Sequence, residues 1–141
     1  MTSVDLQLYI NYHIIIIMSK ILQIKIFNDV LDQFMDYLEN NFYFFRSDLV
    51  LCKSTIEFVR HSNPRLVVEQ FMNYVSPYKS YISNCDEEFF LHTKVDTIIH
   101  SDNLGFVSKV RNIWVSNDIT DNQKAHVWLY FQKLLRAGEK I

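Results

Sequence analysis

Four residues with metal-ligand side chains recur at a spacing of four: Glu88, His92, Asp96 and His100. On one continuous helix they would form a stripe of carboxylate oxygens and imidazole nitrogens, a donor set used for zinc or iron. The β-branched residues between positions 93 and 99 make an unbroken helix doubtful, and a single-helix site needs a second element to complete its shell. A solvated helix face explains the pattern more simply. We therefore predict no metal site and retain the four as weak candidates.

Two cysteines could supply a nucleophile, with a histidine as the base. Cys52 and Cys85 form no CxxC pair, and neither lies in a local signature of a catalytic cysteine. Two buried, inert thiols in a reducing compartment are the simpler interpretation. The chain also has only 2 glycines in 141 residues, which disfavours phosphate-binding loops and sharp nucleophile turns. We predict a non-enzymatic protein with no cofactor.

The charge balance argues against nucleic acid as the main partner. The chain has 14 basic and 16 acidic residues, a net charge of −2, whereas duplex binding draws its affinity from a basic surplus. The C-terminal region is mildly basic through Lys133 and Arg136. An accessory factor that binds nucleic acid or takes part in transcription through these two residues is the alternative function. Its binding would weaken steeply with added salt.

The pattern of apolar residues predicts helices along most of the chain. Phe27, Leu31, Phe34 and Leu38 recur at spacings of four, three and four within a helix from about Ile21 to Asn40. An aromatic cluster over residues 42–45 should plug the core where the chain turns. A second helix is expected from an N-cap at Ser47-Asp48 to about Val59, with buried positions at Leu51, Ile56 and Val59.

Helix start signals divide the rest of the chain. Asn63-Pro64 and Ser76-Pro77 each read as an N-cap followed by a proline in the first helical turn, where its missing N–H costs nothing. The acidic run from Asp86 opens another helix, and Ser101-Asp102 is expected to cap the next. Thr120 and Gln123 match a capping box, and Gly138 is the expected C′ residue of that last helix. Trp114 and Trp128 should lie in the core.

The N-terminal segment is the unusual part of the chain. Leu6 to Ile17 reads LQLYINYHIIII, which is too short to cross a membrane and lacks the basic start of a signal peptide. The run Ile14, Ile15, Ile16 and Ile17 favours an extended apolar arm that must be covered by its own core, a neighbouring subunit or a membrane surface. Translation from Met18 would instead make residues 1–17 an upstream extension. Both alternatives place a boundary between residues 1–17 and a helical domain over residues 18–141.

A resemblance covers roughly Phe27 to Ala137. The runs NPRLVVEQFMNYVSPYKSYISNCDEEFFL (Asn63 to Leu91) and HVWLYFQKLLRAG (His126 to Gly138), with Ile113-Trp114 between them, resemble small uncharacterised helical proteins of the nucleocytoplasmic large DNA viruses. No catalytic residue defines that group, so none is carried over. The resemblance implies a viral gene product, located in the virion or the host cytoplasm.

Together these patterns predict an all-α, single-domain bundle of five to seven helices with an extended apolar N-terminal arm. The expected function is a non-enzymatic protein–protein interaction module, a virion component or assembly factor. Its interaction residues would be Ile14 to Ile17 on the arm, with Lys133 and Arg136 on the last helix. We expect a protein partner or self-association, and neither nucleic acid nor a membrane as partner.

Overall fold

The computed structural model describes residues 2–93 and 106–141, and at positions 106, 107 and 109 its description is confined to the backbone. The α-helices are α1 (Ser3–Asn41), α2 (Arg46–Ser62), α3 (Pro64–Val75), α4 (Lys79–Ser83), α5 (Glu87–His92), α6 (Phe106–Trp114) and α7 (Asp121–Glu139). Two 3₁₀ turns, Tyr43–Phe45 and Ser76–Tyr78, join α1 to α2 and α3 to α4. No β-strand occurs in these two ranges, so the predicted all-α single-domain bundle is confirmed.

The core forms around the C-terminal half of α1. Phe27 is fully buried, and Leu31, Phe34 and Met35 follow it on the same face. The ring of Phe34 stacks on Tyr130 and meets Phe131 edge-on, at centroid distances of 5.1 and 5.2 Å. Helix α7 carries both partner rings, and the most extensive contact between described helices is the one between α1 and α7. The predicted spacing of four, three and four is the spacing that builds this contact.

The prediction of an extended arm was wrong. Residues 3–17 are helical, and α1 runs unbroken through Met18 to Asn41. Thr2 caps the helix: its hydroxyl accepts from the backbone N–H of Asp5, whose carboxylate accepts from the N–H of Thr2. Isoleucine is only slightly disfavoured in helices, so the Ile14 to Ile17 run did not exclude a helix that a cap starts.

Helix α2 packs antiparallel to α1 through charged side chains. Lys53 donates to Asp36 and Glu39 at 2.8 and 3.3 Å, and these carboxylates raise the pKa of its ammonium group. Farther along α2, Nη2 of Arg60 lies 2.7 Å from Oδ1 of Asp32. The helix begins at Arg46, so the predicted N-cap residues lie inside its first turn.

Two details of the predicted core are corrected around α2. Leu51 is 69% exposed, because the buried side of α2 is carried by Leu49, with Ile56 half-buried. In the aromatic cluster before α2, Phe42 and Phe45 are buried while the other two rings are exposed. Only half of the cluster therefore plugs the core.

The two proline signals have different outcomes. Asn63 caps α3 as predicted: its side chain accepts from the N–H of Arg65, and Pro64 begins the helix. Ser76 is not the predicted N-cap, because its own backbone is helical (φ −54°, ψ −40°) and it ends α3 and opens a 3₁₀ turn. The prediction at Asp86 is confirmed, since its side chain accepts from the N–H of Phe89 at the start of α5. The cap predicted at Ser101-Asp102 lies outside the described residues.

The predictions for the two ends of α7 have different outcomes. The capping box of Thr120 and Gln123 forms as predicted, with hydrogen bonds of 2.9 and 3.1 Å. Gly138 is not the C′ residue, because the helix continues to Glu139. Instead Gly138 is buried inside α7, where a Cβ atom would lie 2.3 Å from Sδ of Met72. The glycine thus allows α7 and α3 to approach each other closely.

A second aromatic group joins α5, α6 and α7. Trp114 and Trp128 meet edge-on at 6.2 Å, and Phe90 packs against Trp128 at 5.5 Å. The indole N–H of Trp114 donates to Glu87, and Arg111 donates to the backbone oxygens of Phe90 and Thr93. Both tryptophans are half-buried, with Trp114 against the main core, so their rings pack within the bundle.

Candidate interaction surface

The first 24 residues of α1 extend beyond the bundle. We call residues 3–26 the projecting segment. At 1.5 Å per residue it is about 36 Å long. No residue in it is buried, whereas Phe27 and Asn28 directly after it are. Gln23 and Ile24 are half-buried, and Ile24 packs against the core, so cover from the bundle ends within the last turn of the segment.

The projecting segment is apolar around most of its circumference. Ile14, Ile15 and Ile17 are 48%, 65% and 56% exposed, and Ile16 is half-buried. Nine more large apolar side chains, and Ile26 at the edge of the bundle, are also exposed: Val4, Leu6, Leu8, Tyr9, Ile10, Tyr12, Met18, Ile21 and Leu22. A helix that is hydrophobic on nearly all sides is normally buried in a larger assembly.

Several polar groups on this segment pair with groups on the same helix. Gln7 donates to Asn11 at 3.0 Å, and a ring nitrogen of His13 lies 2.9 Å from the carbonyl oxygen of Tyr9. Lys25 pairs with Asp29 one turn farther along, at 2.7 Å. The hydrogen bond from the Thr2 hydroxyl lowers the pKa of the Asp5 carboxyl, with the Thr2 backbone N–H contributing next. These local pairs leave the apolar surface as the main chemical feature of the segment.

Sequence reasoning located this surface but underestimated its extent. Ile14, Ile15 and Ile17 were predicted as interaction residues and are exposed. Ile21 and Leu22 were missed because the arm was expected to end at residue 17, and Leu6 and Ile10 because the interaction residues were limited to the isoleucine run. The available signal was the cap at Thr2 and Asp5, which predicts a helix from the first residues onward.

The four weak metal-ligand candidates lie only partly within the described residues. Glu88 and His92 lie on α5 and form an exposed pair at 3.1 Å. Asp96 and His100 lie outside the described residues. Among the residues that are described, no group of three or more acidic, histidine or cysteine side chains converges as a metal site would require.

The two thiols are exposed and not paired with each other. This corrects the prediction that both are buried. Neighbouring atoms still desolvate Cys52 enough to raise the pKa of its thiol, so it is less reactive than a free cysteine. Cys85 accepts a hydrogen bond from Gln132 at 3.3 Å.

The basic residues of α7 lie on a separate surface. Lys133 and Arg136 are exposed, and the Lys133 ammonium sits 5.5 Å from the ring centroid of Tyr130. Arg136 lines a groove together with Lys79 and Glu139, whose side chains form a 3.0 Å ion pair. The structure therefore does not bring these two residues together with Ile14 to Ile17.

None of the described helices is both long enough and apolar enough to span a bilayer. The chain matches no protein-family model, and no curated protein and no solved structure is significantly similar to it.

Proposed function

We propose that the protein is a non-enzymatic protein–protein interaction module that uses the projecting segment as its docking element. The observation that supports it is a helix about 36 Å long whose surface is mostly apolar and which its own bundle covers only at the last turn, around Ile24. A virion component or assembly factor of a large DNA virus is the role we propose for such a module.

Energetics support a partner for the projecting segment. Fully burying one isoleucine or leucine side chain is worth about 1.5–3 kcal/mol, and the segment offers nine exposed residues of these two types. A helix that packs on nothing is only marginally stable in water. A partner that covers the segment would supply both the burial and the helical stability.

A site-specific crosslinking experiment tests the proposal. A photoreactive amino acid is placed at Ile17 in the full chain, in cells that naturally produce it, with Gln33 as the control site. Gln33 is exposed on the same helix but beside the bundle. We expect a discrete crosslinked protein from position 17 and none from position 33. Equal labelling at both sites, or none at either, contradicts the proposal.

A further inference from the structure

We propose that the occupant of the projecting segment is a second copy of this chain, and that the two segments pack as an antiparallel coiled coil. This inference rests on the proposed function, because it names the partner of the same surface. A partner of another kind would preserve the proposed function and overturn this inference.

The apolar residues of α1 follow a heptad spacing from the projecting segment into the bundle. Alternating steps of four and three connect nine positions: Ile10, Ile14, Ile17, Ile21, Ile24, Asn28, Leu31, Met35 and Leu38. In heptad letters, Ile14 and Ile21 occupy a positions, and Ile10, Ile17 and Ile24 occupy d positions. A spacing of 3.5 sustained over four heptads is the pattern of helices that wind around each other.

The C-terminal half of this stripe is already in use. Asn28, Leu31 and Met35 are buried, and Leu38 packs at the edge of the core. The side-chain amide of Asn28 donates to the carbonyl oxygens of Ile24 and Pro64, at 3.1 and 3.3 Å. The exposed half therefore continues an existing packing stripe at the point where its intramolecular partners end.

The exposed half of the stripe is complementary to itself. An antiparallel pair centred between residues 15 and 16 places Ile14 opposite Ile17 of the second copy, and Ile10 opposite Ile21. Every contact then occurs twice, as a two-fold dimer interface requires. Isoleucine faces isoleucine in these four pairs, and the last stripe residue of the segment, Ile24, faces Gln7 of the second copy.

Charge selects the antiparallel orientation. Lys20 occupies a g position and Lys25 an e position of the same heptad frame. In a parallel pair, a g residue faces the e residue five positions later in the other chain, so Lys20 would face Lys25 of the second copy twice. In the antiparallel pair these lysines lie at opposite ends of the coil, and Lys25 approaches the end that carries Asp5, the acidic residue of the segment.

The position of the bundles favours the same orientation. Helices α2 and α7 both run antiparallel to α1. Along α2, Lys53 pairs with Asp36 and Arg60 with Asp32, and along α7, His126 packs on Tyr37 and Tyr130 on Phe34, so both helices end beside the start of the buried stripe. In an antiparallel dimer, the N-terminus of each projecting segment meets these carboxyl ends, where opposite helix dipole charges attract. In a parallel dimer, both bundles would lie side by side at the same end of the coil.

Sedimentation equilibrium of the full chain tests the self-association. The variants are Ile14→Lys and Ile17→Lys on the stripe, with Ile16→Lys as the matched control at a c position. We expect a wild-type dimer, a dissociation constant at least about tenfold higher for both stripe variants, and little change for the control. A monomeric wild type, an assembly larger than a dimer, or an equal effect of the control substitution overturns the proposal. Circular dichroism verifies that each variant remains helical.

A charge reversal tests the orientation independently. Lys20→Glu should leave the dissociation constant within about threefold if the pair is antiparallel. In a parallel pair the same change would replace two lysine–lysine contacts with attractive ones, so tighter association overturns the antiparallel arrangement. The crosslink from Ile17 separates the two proposals: a product with twice the mass of the chain supports both, and a different partner supports the proposed function alone.

Discussion

Two phenylalanines, one on α1 and one on α2, differ strongly in how far their side chains are buried. Phe27 is fully buried and packs against Phe71 at 5.3 Å, whereas Phe58 is 77% exposed. Loss of a buried ring removes both its transfer free energy and its packing contacts, whereas loss of an exposed ring removes little. A phenylalanine ring therefore contributes strongly to the free energy of unfolding at position 27 and little at position 58.

Alanine substitution measures this difference. We expect Phe27→Ala to lower the free energy of unfolding by about 3–5 kcal/mol, and Phe58→Ala to change it by less than about 0.5 kcal/mol. Urea denaturation followed by circular dichroism gives both values. Similar losses for the two variants would contradict the assigned core.

Gly138 is a second residue whose role depends on its surroundings. Replacing an exposed glycine inside a helix with alanine raises the free energy of unfolding by about 1 kcal/mol. Here the new methyl group would overlap Sδ and Cγ of Met72, at 2.3 and 2.9 Å, and overpacking costs about 1–3 kcal/mol. The overlap should therefore outweigh the gain in helix propensity.

We predict that Gly138→Ala lowers the free energy of unfolding by about 1 kcal/mol. Adding Met72→Ala should cost less in this variant than in the wild type, because it removes the overlapping side chain. A double-mutant cycle by chemical denaturation measures the coupling. A Gly138→Ala protein more stable than the wild type would show that α3 and α7 do not approach this closely.

At the scale of elements, two capping boxes of the same kind lie in different surroundings. Thr120 starts α7, which packs on α1 through most of its length. Thr2 starts the projecting segment, which lies outside the bundle. A cap contributes to global stability only if its helix turn forms together with the core, so the two boxes should differ in effect.

We expect Thr120→Ala to lower the free energy of unfolding by about 1 kcal/mol and Thr2→Ala to leave it unchanged at concentrations where the chain is monomeric. Thr2→Ala should instead increase amide hydrogen exchange over the first turns of α1. A global loss of stability from Thr2→Ala would indicate that the segment unfolds together with the bundle.

The same cap predicts a local pH dependence. Folding lowers the pKa of the Asp5 carboxyl, so the cap stabilises the first turn fully above the ordinary aspartate pKa of about 3.9. That contribution is lost as the pH falls through the lowered value. Titration of Asp5 by nuclear magnetic resonance should show the lowered midpoint, and Thr2→Ala should move it back upward. An unchanged midpoint in the variant would contradict the assigned cap.

At the scale of the whole molecule, the chain has two parts that differ in whether their apolar surface is buried by the chain itself. The bundle buries its own apolar stripe between α1, α2, α3 and α7. The projecting segment carries a further stripe that the chain does not cover.

If the segment is a docking element, deleting residues 2–22 should leave the cooperative unfolding of the bundle intact and abolish association. Sedimentation and thermal unfolding of the truncated chain measure these separately.

The sequence by itself determined the helical nature of this protein and several of its boundaries. The spacing from Phe27 to Leu38, the cap at Asn63 and the box at Thr120 act within one or two turns, so their outcome is decided by local chemistry. Tertiary structure decided which faces are covered: it exposed Leu51, buried Gly138 against Met72, and left Ile14, Ile15 and Ile17 without cover. Burial of a helix face depends on which distant helix packs against it, and the residues of that face alone do not determine this packing.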